Sequence, residues 1–217
     1  MKAEHWPNLS LCGTSIKPAE SHKFLGVVFD QELRWNVQAE RVIAKATKWT
    51  LASRHLARPA AGISPRQMRQ LYQAVAVPSF TYVADVWFTP ICKGADSGKS
   101  SGSVGVVRKL SSVQRMATTA ITGALRTSAS DMMEAHTNLL PIELMLHRVC
   151  HRATLRLATL PELHPLSKPT HQSARRFLKR HRSPLHHLFH AFELRPQDCE
   201  KIAPSTHPPN EDNALRF

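Results

Sequence analysis

Acidic residues are scarce in this chain of 217 residues. Sixteen Asp and Glu stand against 29 Lys and Arg, which gives a formal net charge of +13. A charge of this size attracts polyanions over long distances and gains affinity when their counterions are released. Nucleic acid is therefore the first expected partner, and the alternative is that the charge only keeps the chain soluble.

Long apolar runs and clustered cysteines are also missing. No stretch reaches the ~20 apolar residues that span a bilayer, and residues 1–10 lack the apolar centre of a signal peptide. The sequence thus predicts no membrane partner and an intracellular location. The cysteines are scattered at positions 12, 92, 150 and 199, which favours reduced thiols over a disulfide framework.

Residue patterns typical of catalytic or metal sites are equally hard to find. The segment YVAD at 82–85 has one carboxylate where a two-metal polymerase site needs several. The GKS at 98–100 lacks the glycine spacing of a phosphate-binding loop. His147, Cys150 and His151 lack the further ligands of a structural zinc site. We therefore predict no catalytic residue, no metal, no cofactor and no enzymatic activity for the chain as it stands.

What the sequence does contain is a strand and a long helix between residues 21 and 57. Phe, Leu and Val dominate Lys23 to Asp30, which predicts one strand with a bulge or close approach at Gly26. From Trp35 onward a helix is predicted, whose buried face would comprise Trp35, Ala39, Val42, Ala46, Trp49, Ser53 and Leu56. A neighbouring stripe without acids would comprise Arg34, Gln38, Arg41, Lys45, Lys48 and His55.

Most of the remaining chain is predicted to be helical. Ser64 and Pro65 start one helix, and Gly123 ends another that begins at Val106. Ser128 and Asp131 form a capping box for the next helix. Further helices are predicted at 141–159 and 184–194, and a hairpin at 9–18. The aromatic residues Tyr72, Phe80, Tyr82, Trp87 and Phe88 are predicted to be core rather than a base-stacking platform.

These patterns predict a mainly α fold. A helical bundle would follow a small N-terminal β-hairpin or three-stranded sheet and precede a Pro-, His- and Arg/Lys-rich tail. The expected divisions are a β region at 1–30, a helical domain at 31–160 with a flexible loop at 93–104, and a basic tail at 161–217 with one short helix.

Three segments carry a resemblance to a known family. They read HKFLGVVFDQELRW, ISPRQMRQLYQAVAVPSFTYVADVW and KLSSVQRMATTAITGALRTSASDMMEAHTNLLPIELMLHRVCHRATLRL. In letters, order and spacing they closely resemble the C-terminal half of the reverse transcriptase of non-LTR (LINE-like) retrotransposons, particularly those in fungal genomes. The resemblance covers about residues 9–209.

The resemblance implies a place in a polymerase for each part of the chain. Phe24, Leu25 and Gly26 are similar to the end of the palm that grips the primer terminus. The helices after Arg34 resemble the thumb and connection, and the tail resembles the approach to a ribonuclease H domain. The catalytic palm and the ribonuclease H domain would lie outside this sequence, so the resemblance implies a primer-template partner without polymerase activity. The expected location is nuclear or cytoplasmic, and the resemblance favours the nucleus.

The expected interface is made of basic side chains on the helices and the strand before them. The predicted nucleic-acid contacts are Lys23, Arg34, Arg41, Lys45, Lys48, Arg66, Arg108, Lys109 and Arg115. Three alternatives remain open: a non-functional retrotransposon relic, a stand-alone helical nucleic-acid-binding module, and a protein-interaction bundle that uses its apolar faces. Salt separates the last two, because nucleic-acid binding weakens steeply with salt and apolar binding does not.

Overall fold

A computed structural model describes residues 8–57, 62–93, 100–175, 178 and 183–201. The fold is mainly helical with small hairpins near the N-terminus, as predicted. The chain divides into two units, Met1–Cys150 and His151–Phe217, where the sequence places a division at residue 160. In the described part of the chain, no helix is long and apolar enough to cross a membrane.

Two separate hairpins precede the helices. Strand β1 (Leu9–Leu11) pairs antiparallel with β2 (Thr14–Ile16), and β3 (Ser21–Phe24) pairs antiparallel with β4 (Val27–Asp30). The predicted hairpin at 9–18 is thus confirmed, whereas the single strand from Lys23 to Asp30 and the three-stranded sheet are wrong.

The turn of the second hairpin explains the error. Leu25 and Gly26 both have positive φ, 47° and 86°, which is the geometry of a two-residue type I′ turn. Gly26 is therefore a turn residue rather than a bulge within a strand. Leucine rarely adopts this conformation, so the sequence carries no ordinary turn signal at this position.

Helix α1 comprises Asn36–Arg54. Its buried row is Gln38, Val42, Ala46 and Thr50, so the predicted buried face is confirmed only in part. Gln38, which the helical spacing places in the basic stripe, is 3% exposed. Its amide oxygen accepts a hydrogen bond of 2.9 Å from the backbone N–H of Val28, and this contact fixes β4 on α1.

The predicted buried face fails at its C-terminal end. Trp49 and Leu56 are 44% and 45% exposed. Together with Leu71 and Val75 they line an open, largely apolar cavity of about 220 Å³. Periodicity places these side chains on one side of the helix, but it does not reveal whether another element covers that side.

A helical path of four segments follows. Helix α2 is Pro65–Leu71, a π-helical segment is Tyr72–Ala76, α3 is Val77–Thr81 and α4 is Ala84–Trp87. The predicted start of α2 is confirmed, because the side chains of Ser64 and Gln67 form a capping box. Pro78 does not end the path, because it lies in the first turn of α3, where a missing N–H is tolerated.

The longest helices of the chain include α5 (Val104–Thr122) and α7 (Ile142–Ala158), with α6 (Ser130–Thr137) between them. Gly123 ends α5 with a φ of 67°, as predicted. The predicted capping box of α6 is wrong, because its N-cap is Ala129 and no side chain caps it. The carboxylate of Asp131 instead accepts a hydrogen bond from the backbone N–H of Met132.

A short hairpin of β5 (Cys92–Lys93) and β6 (Ser100–Ser101) precedes α5. Gly102, with a φ of 105°, follows at a close approach, because a Cβ there would lie 2.4 Å from the carbonyl oxygen of Pro90. Next to it, Ser103 and Thr89 exchange two hydrogen bonds of 3.0 Å. The predicted flexible loop 93–104 therefore ends in paired strands and a fixed turn, and residues 94–99 lie outside the described residues.

A polar network lies at the centre of the first unit. Gln114 of α5 is fully buried. Its amide nitrogen donates to a carboxylate oxygen of Glu134 (2.7 Å) and to the carbonyl oxygen of Leu140 (2.9 Å), and its oxygen accepts from the Tyr72 hydroxyl (3.4 Å). Burial, and next the charge of Glu134, raise the pKa of Tyr72. Such a satisfied network specifies how α5 and α6 pack.

The second unit contains more helix than the sequence predicts. Helix α8 (Ser167–Arg175) was not expected in a Pro-rich tail, while α9 (Pro184–Phe192) confirms the predicted short helix, and a 3₁₀ turn follows at Pro196–Asp198. The ammonium group of Lys201 donates to the carbonyl oxygens of Ala158 and Pro196. Residues 202–217 of the predicted tail lie outside the described residues.

Candidate nucleic-acid interface

The N-terminal loop of α1 is held by one carboxylate. The two oxygens of Asp30 accept hydrogen bonds from the backbone N–H groups of Arg34 (2.7 Å) and Trp35 (2.6 Å). Leu33 and Trp35 take positive φ values of 52° and 63° in this loop. Asp30 therefore compensates an otherwise unfavourable backbone path and fixes the direction in which α1 leaves the hairpin.

Three basic side chains form one exposed face of α1. Arg41, Lys45 and Lys48 are all exposed, and at 100° per residue they lie within roughly 60° of one another around the helix axis. Glu40, the one acid of α1, projects about 100° away from Arg41. None of the three makes an ion pair within the described residues. We call Arg41, Lys45 and Lys48 the α1 stripe.

Arg34 differs from the α1 stripe. It is exposed, but its guanidinium forms an ion pair with the carboxylate of Glu32. The prediction of an acid-free stripe is thus wrong at its N-terminal end. Glu32, the partner of Arg34, lies before the helix, so helical periodicity does not reveal it.

The other predicted basic residues lie on different elements. Lys23 is exposed on β3, Arg108 and Lys109 are exposed neighbours on α5, and Arg66 is exposed on α2. The structure therefore brings three of the nine predicted contacts together on one helix face.

Arg115 differs from the other predicted contacts, because its guanidinium forms hydrogen bonds within the fold. Its guanidinium donates hydrogen bonds of 2.7 Å to the carbonyl oxygens of Arg126 and Ser128 and a further one to the hydroxyl of Ser130. These bonds tie the loop after α5 to α5 itself. The sequence alone identifies Arg115 as an outward cation, and only the fold reveals its three hydrogen bonds to the following loop.

A groove beside Arg115 contains basic residues that the sequence analysis missed. Its volume is about 730 Å³, and it lies between the C-terminal end of α1 and α5. Arg54 and Arg126 line it along with Arg115, and no acid is among its described lining residues. The buried row of α1 lies between the α1 stripe and Arg54. The sequence analysis considered the basic residues on the side of the stripe and therefore missed Arg54.

The tip of the second hairpin is exposed and apolar. Phe24 and Leu25 are 59% and 75% exposed. The hydroxyl of Tyr82 donates a hydrogen bond of 3.0 Å to the carbonyl oxygen of Leu25, and the ring of Tyr82 lies 3.4 Å from where a Cβ of Gly26 would be. Tyr82 itself is 53% exposed, so the prediction that it is core is wrong. Tyr82 thus holds the backbone of the tip in place, while the side chains of Phe24 and Leu25 remain accessible.

His147 and Cys150 of α7 lie in contact with other parts of the fold. Nε2 of His147 accepts a hydrogen bond of 3.0 Å from the backbone N–H of Ile91, and burial lowers the pKa of His147 despite the opposing charge of Glu143. Burial, and next the charge of Asp85, raise the pKa of the Cys150 thiol to about 12. Within the part of the chain that the structure describes, no group of His, Cys, Asp and Glu could hold a metal ion.

Comparisons with known proteins identify no relative. No protein-family model, no curated protein and no solved structure matches this chain.

Proposed function

We propose that this chain is a reverse-transcriptase-like segment that binds an RNA/DNA primer-template through the α1 stripe, and that it has no polymerase activity of its own. The observation that carries the proposal is the stripe itself: three exposed cations on one helix face without an acidic partner in the described residues. The family resemblance of the sequence supplies the substrate class and favours the nucleus as the place of action.

The dimensions of the stripe suit a nucleic-acid backbone. Arg41 and Lys48 are separated by ~10 Å along the helix, from a rise of 1.5 Å per residue. One strand of a duplex carries a phosphate every ~3.4 Å along its axis, so the stripe can reach about three successive phosphates. Contacts of this kind supply affinity and position without reading sequence.

The hairpin tip adds a means of preferring a strand end. Gln38 joins β4 to α1, and Tyr82 fixes the tip formed by Phe24, Leu25 and Gly26. Exposed apolar side chains at this tip can pack on the terminal base pair of a primer, because base faces are apolar and accept stacking. This corresponds to the primer-grip role that the resemblance implies.

A binding experiment on two nucleic acids tests the proposal. Fluorescence anisotropy compares a recessed primer-template junction with a blunt duplex of the same length. Replacing Arg41, Lys45 and Lys48 by Gln should weaken binding to both, while Leu25→Asp should remove only the preference for the junction. The matched control replaces the exposed Arg148, Arg152 and Arg156 of α7 by Gln.

The outcomes are distinct. If the α7 variant loses as much affinity as the α1 variant, total charge explains binding and the α1 stripe has no special role. If high salt leaves binding intact, the alternative of a protein-interaction module, which would use the apolar cavity beside Trp49, gains support.

A further inference from the structure

A second large cavity of the first unit combines basic and apolar walls. Its volume is about 700 Å³, and it is an open cavity between α2, the C-terminal end of α5 and α6. Arg66, Arg69 and His136 are its basic lining residues, and Met132 and Met133 are among its apolar ones. No acidic side chain is among the described residues that line it.

Arg69, which lines this cavity, has an unused donor. Its Nε is buried and has no hydrogen-bond partner within the described part of the chain. Arg66 precedes it by three residues on α2, so both guanidinium groups lie on neighbouring positions of one helix face. Neither forms an ion pair in the described residues. A buried guanidinium nitrogen without an acceptor is unusual in a native structure.

We propose that this cavity binds a nucleotide, with its phosphate between Arg66 and Arg69 and its base against the exposed Met132. Planar guanidinium groups match the geometry of phosphate oxygens and bind them through paired hydrogen bonds. Methionine is polarizable and packs well on flat aromatic rings. The volume lies within the ~300–1,000 Å³ of typical small-molecule sites and is far larger than a phosphate ion alone requires.

This site goes beyond the proposed primer-template function, because no residue of the α1 stripe lines it. The nucleotide could come from two sources with the same chemistry: a free mononucleotide, or the unpaired terminal nucleotide of a strand. The experiment therefore has an arm for each source.

Isothermal titration of the whole chain with AMP, adenosine and inorganic phosphate tests the site. AMP should bind at least about tenfold tighter than adenosine or phosphate, because only AMP uses both walls. Arg66→Gln, a change at an exposed side chain, should weaken AMP binding about tenfold, the reduction expected on removal of one charged hydrogen bond. Arg148→Gln, at an exposed position of α7 outside the cavity, should leave AMP binding unchanged.

The competition arm separates the two sources. A duplex with one unpaired terminal nucleotide should displace AMP more strongly than a blunt duplex if the site takes strand ends, and equally weakly if it takes free nucleotides. Absence of AMP binding overturns the proposal. Equal losses in Arg66→Gln and Arg148→Gln also overturn it. Replacing Arg41, Lys45 and Lys48 by Gln should not affect AMP, so failure here is distinguishable from failure of the primer-template proposal.

Discussion

Replacement of Gly102 by alanine should destabilise the first unit strongly. A φ of 105° is a conformation that L residues rarely adopt, and holding alanine there costs about 1–3 kcal/mol. The new Cβ would lie 2.4 Å from the carbonyl oxygen of Pro90 and 3.0 Å from that of Thr89, and both atoms belong to the backbone. Relief of this overlap requires a backbone shift, which adds roughly 1–3 kcal/mol.

The total of about 2–6 kcal/mol is a large share of the ~5–15 kcal/mol that stabilises a typical domain. Urea unfolding followed by circular dichroism should detect it as a lower midpoint with an unchanged slope. Because Ser103 and Thr89 are bonded across this approach, the start of α5 should also lose protection in hydrogen exchange.

Gly105 provides the matched control three residues later. It lies in the first turn of α5, and a Cβ there would meet nothing within 4 Å. Gly105→Ala should therefore be neutral or stabilise the chain by up to ~1 kcal/mol, since alanine favours a helix over glycine. If Gly102→Ala is as stable as Gly105→Ala, that result contradicts the close approach of residues 89–90 to the turn before α5.

Three further outcomes follow from the described contacts. Maleimide at pH 8 should label the exposed Cys12 and spare Cys150, whose raised pKa keeps its thiol protonated, and rapid labelling of Cys150 in the folded chain would contradict its burial. Because the Cys150 thiol loses its proton at lower pH in the unfolded chain than in the folded one, its contribution to the free energy of unfolding should fall only as pH rises from about 9 towards 12. Arg115→Met should cost about 1–3 kcal/mol in urea unfolding, because two carbonyl oxygens lose a charged donor, while Arg108→Met at an exposed position should cost less than ~0.5 kcal/mol; equal costs would refute the tethering role. The purified chain should extend no primer on any template, because the segment at 82–85 carries a single carboxylate, and measurable extension would disprove this.

The basic face of α1 could be predicted because charge and helical spacing are local properties. Arg41, Lys45 and Lys48 are exposed as expected, since burial of three unpaired cations would be very unfavourable. The buried row could not be predicted in full. Gln38 is buried through one hydrogen bond to β4, and that partner becomes known only when the hairpin is in place.

The hairpin tip and the loop after α5 depend on contacts distant in sequence. Leu25 adopts a positive φ within a turn whose carbonyl is held by Tyr82, 57 positions later. Arg115 uses its donors on carbonyl groups 11 and 13 positions away. No periodicity connects such residues, so the sequence predicts a strand in the first case and a free cation in the second.

The proposed relationship to reverse transcriptases rests on the sequence segments that resemble them. The helical segments and the small hairpins match a mainly α expectation that many proteins would meet. What the structure adds is the grouping of Arg41, Lys45 and Lys48 on one accessible face of a helix that β4 packs against. Direct binding measurements can test this grouping.

The salt dependence of duplex binding tests the central claim most directly. The slope of log affinity against log salt concentration should be smaller by up to ~2.7 when Arg41, Lys45 and Lys48 are replaced by Gln, from about 0.9 for each phosphate that the variant no longer neutralises. Helix content should stay the same, because all three side chains are exposed. An unchanged slope and affinity in this variant would contradict the account and leave the α1 stripe as a solvated face.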